Sequence, residues 1–270
     1  MSINASGNVL HAEWSESFID SRDQSQSVYY SRRSQEKFVS NIVDIIIATM
    51  MVVVLPISLM FLEQGIGAGL PLLIYYGCCI FVVKDRKGSF DYVMPKVRSR
   101  RWIYFVFIPL LILVVVQQII VFDIVIPSGG GGWGYTLCLW CPINASLEQL
   151  LWIYIFDAFY WFDIEGTIPK YKDSQCIKWM FRALGWIMCL GFVGMIHALF
   201  WTEFLMEFDH DKSPEYPIFL AIQFVTIIGY VVLFQLTESM MPLLILHLLT
   251  DCIAVIAARY SIVPFLWISS

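Results

Sequence analysis

Long apolar runs separated by short polar segments set the pattern of this sequence. Seven such runs lie at about residues 39–62, 66–83, 102–126, 147–163, 183–206, 217–236 and 240–259. A helix that crosses a hydrocarbon core of about 30 Å needs about 20 mostly apolar residues, so each run is close to the length of one membrane span. The runs show no two-residue alternation, and backbone groups in lipid must be satisfied within their own segment. We therefore predict an all-α fold, a polytopic transmembrane helical bundle.

The two ends of the chain differ from these runs. Residues 1–38 are polar and rich in Ser and Gln, a composition that predicts a flexible tail with little fixed structure. Residues 39–270 then form the transmembrane domain. The final segment, Ser261–Ser270, is apolar but short, so a half-span and an interfacial segment are both open. The bundle is accordingly predicted to have seven or eight spans.

Charge in the loops predicts the orientation of the chain. The flank before the first run and the loops after the second and fourth runs are basic, whereas the loops after the third and fifth runs are not. Basic loops tend to stay on the cytoplasmic side, so the N-terminal tail is predicted to be cytoplasmic. The chain is 59% hydrophobic with a mean hydropathy of +0.70, whereas soluble domains are about 45–50% apolar. With a net charge of -5 and no broad basic patch, the lipid bilayer is an expected partner and nucleic acid is not.

Ionisable side chains within apolar spans are costly in lipid, so each is a candidate for function. The candidates within or near the runs are Asp44, Asp123, Glu148, Asp157, Asp163, His197, Glu203, Glu238, His247 and Asp251. Asp44 and Asp163 lie within about one turn of a run's end, where a side chain can reach headgroups or water. Asp157 follows Glu148 by nine residues and, at about 100° per residue, points to the opposite helix face. For Asp123, a structural hydrogen bond and a functional role are both open.

His247 and Asp251 form the clearest pair among these candidates. Four residues separate them, which puts both side chains on one face of the last helix. Taken alone, the pair also fits an aspartate that accepts a hydrogen bond from a structural histidine. His197 is likewise ambiguous alone, and Glu148 also fits an acidic residue in the first turn of a helix.

Three local strings, in chain order, carry a family resemblance. The segment Asn144–Trp152, NASLEQLLW, resembles the Glu-Glu-x-x-aromatic-Arg signature of the CAAX-processing and bacteriocin-processing membrane proteases, the CPBP or Abi family. The segment Gly191–Phe200, GFVGMIHALF, is similar to the second motif of that family, an aromatic-led apolar run that ends in His. The segment Thr237–Asp251, TESMMPLLILHLLTD, resembles the third, in which Thr-x-Ser and Pro lead to His-x-x-x-Asn or Asp. The resemblance covers about residues 140–258, the protease-like core.

The sequence departs from that family at three positions. Gln149 stands where the family has a second Glu, Ile153 where it has Arg, and Val193 where it has Phe, with Phe192 one place early. The departures leave in place the Glu, the two His and the Asp that the family's chemistry would need.

The resemblance implies an intramembrane endopeptidase that hydrolyses a peptide bond with activated water. It implies that Glu148 is the general base, that His197 shares or relays the proton, and that His247 donates to the oxyanion. Asp251 has two open roles, because an ionised carboxylate cannot donate to an oxyanion. It is either protonated or it accepts from the far nitrogen of His247 and fixes the orientation of that ring, and we favour the second.

Cofactors, partners and alternative functions complete these expectations. No cofactor is expected, although Glu148, His197, His247 and Asp251 would also suit a divalent metal ion. The expected partner is a membrane-associated peptide or protein substrate, either prenylated, a bacteriocin or pheromone precursor, or another membrane-bound peptide. A catalytically inactive relative that acts as an immunity or scaffold protein is the main alternative. A transporter that uses buried His and Asp is a third.

Overall fold

The structure is a computed structural model, which describes residues 38–95, 101–126, 131–201 and 215–266. The chain divides into two units, Met1–Val39 and Ser40–Ser270, and all the described helices lie in the second. Of the predicted N-terminal tail, only residue 38 is among the described residues. The candidate Glu203 lies outside them.

The described part of the second unit is helical. Its long helices are α1 (Ile42–Ile66), α2 (Gly69–Lys87), α3 (Ile108–Ile124), α4 (Cys141–Tyr160), α5 (Gln175–Leu199), α6 (Tyr216–Thr237) and α7 (Met241–Ala258). A single turn of π-helix precedes α3 at Ile103–Phe107, and another precedes α4 at Thr136–Trp140. The described residues contain no β-strand, only an isolated bridge between Ser40 and Phe162. The all-α class predicted from the apolar runs is confirmed.

Among the described residues, five helical segments are long and apolar enough to cross a membrane. They are Ile42–Ile66, Ile103–Ile124, Gln175–Leu199, Pro217–Thr237 and Met241–Ala258. Helix α2 falls outside this group because its last turn holds Lys84, Arg86 and Lys87. Helix α4 falls outside it because polar and acidic residues interrupt its apolar sequence. These lengths and compositions support a membrane protein, and the seven or eight spans stay a prediction.

Helix α4 lies at the centre of the bundle and packs against α1, α2, α5 and α7. Most of its residues are buried, including the carboxylates of Glu148 and Asp157. Because its neighbours shield α4 from the surroundings, polar side chains on this helix face other helices rather than lipid. The central position of α4 therefore explains how a helix with buried polar residues carries the candidate site.

Asp44 corrects one sequence-based expectation. It was predicted to reach headgroups or water from the end of its span, yet only 1% of the residue is exposed. Its carboxylate accepts from the N-cap backbone N–H of Asn41 at 2.9 Å and pairs with the Arg86 guanidinium of α2 at 2.8 Å. Tyr154 also donates to it, at 3.2 Å. The carboxylate is held inside because a capping box and a partly buried ion pair replace water.

Asp157 belongs to a second ion pair, and both side chains of this pair are buried. Lys87 Nζ lies 2.8 Å from Asp157 Oδ2, and Gln235 donates to Asp157 Oδ1 at 3.0 Å. These contacts join α2, α4 and α6. Nine residues of helix separate Asp157 from Glu148, a rise of about 13 Å. Asp157 thus lies in a structural network and apart from the candidate site.

The C-terminal tail was predicted to form a half-span or an interfacial segment. Its described part has one turn of 3-10 helix, Val263–Phe265. Phe265 O accepts from Ala68 N at 2.8 Å and Leu266 O accepts from Gly69 N at 3.1 Å, so the tail packs on the turn between α1 and α2. Within the described residues the tail therefore adds no eighth long helix.

Candidate active site

A cavity of about 100 Å³ lies between α3, α4, α5, α6 and α7. All four site residues predicted from the sequence line it: Glu148, His197, His247 and Asp251. A buried water needs about 10–15 Å³ of such space and several polar partners. The cavity therefore has room for several waters next to a carboxylate and two imidazoles.

Glu148 is the most firmly held member of the site. The residue is 1% exposed, and its Oε1 accepts from Tyr75 Oη at 2.9 Å and from Trp201 Nε1 at 3.1 Å. Its Oε2 accepts from Asn144 Nδ2 at 3.2 Å. All three contacts are donations to the carboxylate, so both of its oxygens serve as acceptors. Oε1 is occupied by two donors, and Oε2 is the oxygen that faces His247.

His247 lies between two carboxylates. Its Nε2 is 3.7 Å from Glu148 Oε2 and 3.6 Å from Asp251 Oδ1, both longer than a hydrogen bond. The ring stacks on Trp152 with centroids 5.2 Å apart, which fixes its plane. Its Nδ1 is buried and has no hydrogen-bond partner among the described residues. The nitrogen that faces both Glu148 and Asp251 is therefore Nε2.

This placement differs from the role we favoured for Asp251. We expected Asp251 to accept from the far nitrogen of His247, but its Oδ1 is nearest to Nε2, the nitrogen that also faces Glu148. The i,i+4 spacing brings the two side chains close, as helical geometry requires, while the ring orientation set by Trp152 turns Nδ1 away from Asp251.

Asn144 connects the two carboxylates of the site. Its Nδ2 donates to Glu148 Oε2 at 3.2 Å and to Asp251 Oδ2 at 3.0 Å, and its Oδ1 accepts from Tyr76 Oη at 2.9 Å. Sequence analysis did not single out Asn144, although its four-residue spacing from Glu148 on one helix was a usable signal. Tyr75 and Trp201 carried no such signal, because aromatic residues are ordinary in membrane-spanning runs.

His197 lines the cavity from near the end of α5. Its Nδ1 forms a 2.8 Å hydrogen bond with Val193 O of the same helix, and its ring centroid is 6.4 Å from that of Trp152. Because a backbone carbonyl only accepts, Nδ1 is the protonated nitrogen and Nε2 is left as an acceptor. Any proton exchange between His197 and Glu148 is therefore expected to pass through water in the cavity.

Gln149 stands where the family that the motifs resemble has a second Glu, and its side chain makes a structural contact. Gln149 is fully buried, and its Nε2 donates to Tyr92 Oη at 3.1 Å. The Tyr92 hydroxyl in turn donates to Ser146 O. Burial raises the pKa of Tyr92 to about 12, so the phenol stays a neutral donor. Ile153 and Val193, the other departures, are buried apolar residues.

The donor atoms of these side chains are not arranged around a common point that a metal ion could occupy. Among the described residues, no group of three or more His, Cys, Asp or Glu side chains is placed to hold a metal ion. In addition, Glu148 Oε1 and Nδ1 of His197 are already engaged by protein partners. The residues present do not fit a metal centre as they stand.

Residues from α4, α5 and α7, remote in sequence, thus meet at one cavity beside a buried carboxylate. Asp123 is exposed on α3, and Asp163 caps a short turn by accepting from Gly166 N at 2.8 Å, so neither adds to that cavity. Comparisons of the chain with protein-family models, with curated proteins and with solved structures find no match.

Proposed function

We propose that this chain is an intramembrane endopeptidase of the CAAX-processing and bacteriocin-processing type. The observation that carries the proposal is the buried Glu148 carboxylate, which borders a cavity large enough for several waters, with His247 Nε2 3.7 Å from its Oε2. A base next to water and a donor next to that base are the parts that peptide hydrolysis requires. The resemblance of the three motifs to the protease family supports the same reaction.

In the proposed mechanism Glu148 Oε2 removes a proton from a cavity water. The water oxygen attacks the peptide carbonyl carbon, and the resulting oxyanion accepts from His247 Nε2–H. The proton held by Glu148 passes to the amine nitrogen as the C–N bond breaks, which leaves a carboxylic acid and a free amine. Tyr75 and Trp201 hold Oε1 and so direct Oε2 toward the cavity.

His197 and Asp251 have supporting roles in this mechanism. His197 presents Nε2 as an acceptor, so it can relay the proton through a water between itself and Glu148. Asp251 accepts from Asn144 at 3.0 Å, and its Oδ1 lies 3.6 Å from His247 Nε2, so this acceptor oxygen favours an N–H at that nitrogen. Asp251 is thereby a positioning residue for the oxyanion donor.

We propose that α2 and α4 also cross the bilayer, which gives seven spans with a cytoplasmic N-terminus. Helix α4 then enters from the non-cytoplasmic side, and Glu148 lies in that half of the membrane. Processing of a prenylated C-terminus needs a cytoplasmic opening, so this topology favours another membrane-bound peptide as substrate. Labelling of single cysteines introduced into the loops tests it: a cytoplasmic 131–132 segment would reverse the orientation.

Cleavage by the purified full chain in lipid nanodiscs tests the activity. Two quenched fluorescent peptides serve as probes: one ends in a farnesylated cysteine and three further residues, and the other is a single apolar span with a central Pro-Gly break. We expect cleavage of the second probe and its loss in His247→Ala. If neither peptide is cut, the proposal is wrong.

A non-catalytic relative is the second candidate function. The observation that favours it is Gln149, whose amide is committed to Tyr92 at the position where the protease family has its second Glu. An immunity or scaffold protein would bind a membrane peptide or partner without cutting it, and His247→Ala would leave that binding unchanged. A transporter would instead lose transport in His247→Ala and show no cleavage at all.

A further inference from the structure

The cavity has a second polar wall that the proposed chemistry does not use. Gln117 on α3 and Gln223 and Thr226 on α6 line it together with Glu148 and the histidines. Both helices are strongly apolar and long enough to cross a membrane. Polar side chains are rare in such helices and usually face a cavity or a partner. The two glutamine amides at this wall therefore indicate a polar ligand in the cavity.

Gln117 is both held in place and incompletely satisfied. Its Nε2 donates to Gln223 Oε1, which fixes the plane of the Gln117 amide. Gln117 is only 2% exposed, and its Oε1 has no hydrogen-bond partner within the described residues. The Thr226 hydroxyl already donates its hydrogen to Ile222 O at 2.9 Å, so its need for an acceptor is satisfied within α6. A buried carbonyl oxygen without a partner is unfavourable, and a ligand that donates to it would remove that cost.

We propose that Gln117 Oε1 accepts a backbone N–H of the bound peptide and so forms a backbone-binding subsite beside the catalytic residues. The inference rests on the proposed function and names how its substrate is held. A peptide segment that is unwound for hydrolysis exposes N–H and C=O groups that the membrane interior cannot satisfy. A fixed amide oxygen satisfies one of those N–H groups whatever the side chain next to it. The subsite therefore selects an extended apolar peptide and not a particular sequence.

Equilibrium binding tests the subsite without turnover. The apolar Pro-Gly probe, labelled with a fluorophore, is titrated into full-length Glu148→Gln protein in nanodiscs. Gln117→Met is added to this background, since methionine keeps the length of the side chain and removes the amide. Gln118→Met is the matched control, because Gln118 is the next residue on α3, is 3% exposed and does not border the cavity. An ester scan of the probe removes its backbone N–H groups one at a time.

The expected result is a loss of affinity of about tenfold in Gln117→Met and a change of less than about twofold in Gln118→Met, as for one lost hydrogen bond. One ester position should weaken binding to the parent protein by a similar factor and have no effect in Gln117→Met. If no ester position weakens binding to the Glu148→Gln protein, the subsite is overturned. This result needs no folded Gln117→Met variant. Equal affinity of both methionine variants overturns it while leaving the peptidase proposal intact. If neither the native protein nor any variant binds or cleaves either probe, both proposals are overturned.

Discussion

Asn144 and Asp251, 107 residues apart in sequence, are joined by a hydrogen bond between Nδ2 and Oδ2 of 3.0 Å. The second hydrogen of the same amide goes to Glu148 Oε2. One neutral side chain thus holds the proposed base and the carboxylate beside the proposed oxyanion donor. Two carboxylates near one another repel when both are ionised, so a shared donor between them stabilises the pair.

Loss of this shared donor is expected to slow cleavage. Asn144→Ala leaves Glu148 Oε2 and Asp251 Oδ2 without their common partner, and kcat should fall by about tenfold or more because positioned groups lose orientation. Ser146→Ala is the control on the same helix, since the Ser146 hydroxyl donates to Ile143 O of its own turn. Initial rates with the apolar Pro-Gly probe measure both. An unchanged rate in Asn144→Ala would remove Asn144 from the site.

Tyr75 is expected to act through Glu148. Tyr75→Phe removes the 2.9 Å hydrogen bond to Oε1 and leaves only Trp201 to hold that oxygen. We expect kcat to fall by about tenfold, because a hydrogen bond to a charged group contributes about 1.5–3 kcal/mol. Tyr104→Phe is the control, since Tyr104 is 66% exposed. Equal rates for the two variants would contradict the role of Tyr75.

The buried Lys87–Asp157 pair is expected to govern stability rather than chemistry. Asp157→Leu leaves the Lys87 ammonium, whose side chain is 6% exposed, without its main partner. Asp91 stays 3.5 Å from Lys87 Nζ, so the free energy of unfolding should fall by less than the about 3–5 kcal/mol of a fully unpaired buried charge. Replacing both residues, Lys87→Met with Asp157→Leu, should destabilise far less than Asp157→Leu alone. Thermal unfolding in nanodiscs measures both. A double variant that is less stable than the single variant would contradict this assignment.

Metal removal is expected to leave cleavage unchanged. The described residues have no cluster of His, Cys, Asp and Glu suited to an ion, and the proposed base already accepts three hydrogen bonds. Rates before and after exhaustive chelation provide the measurement. Loss of cleavage on chelation, restored by one divalent metal, would replace the water-only mechanism with the metal alternative drawn from the same four residues.

The fold was predictable because apolar run length is a strong signal. The runs correspond to the long helices, and the alternation of charge gave a specific topology to test. The start of α4 was missed, since Cys141 and Asn144 lie in a stretch too polar to read as a span. Sequence alone could not show that α4 is enclosed by its neighbours, which is why a polar helix is stable there.

The candidate site was predictable only in part. Glu148, His197, His247 and Asp251 border one cavity, and their catalytic roles stay a prediction. The partners that position Glu148 were not foreseen, because a Tyr or Trp in an apolar run gives no sign of where its polar atom points. Asp44 was misjudged for a related reason: its cation, Arg86, is 42 residues away in sequence.

The central claim is that Glu148 activates the water that hydrolyses the peptide bond. The most direct measurement is the initial cleavage rate of the apolar Pro-Gly probe by Glu148→Gln, compared with Asp123→Asn, the same acid-to-amide change at an exposed position on α3. A positioned general base contributes about 10²–10⁴-fold, so Glu148→Gln should lose at least about 100-fold in kcat while Asp123→Asn keeps the native rate. Cleavage by Glu148→Gln at the native rate would contradict the claim.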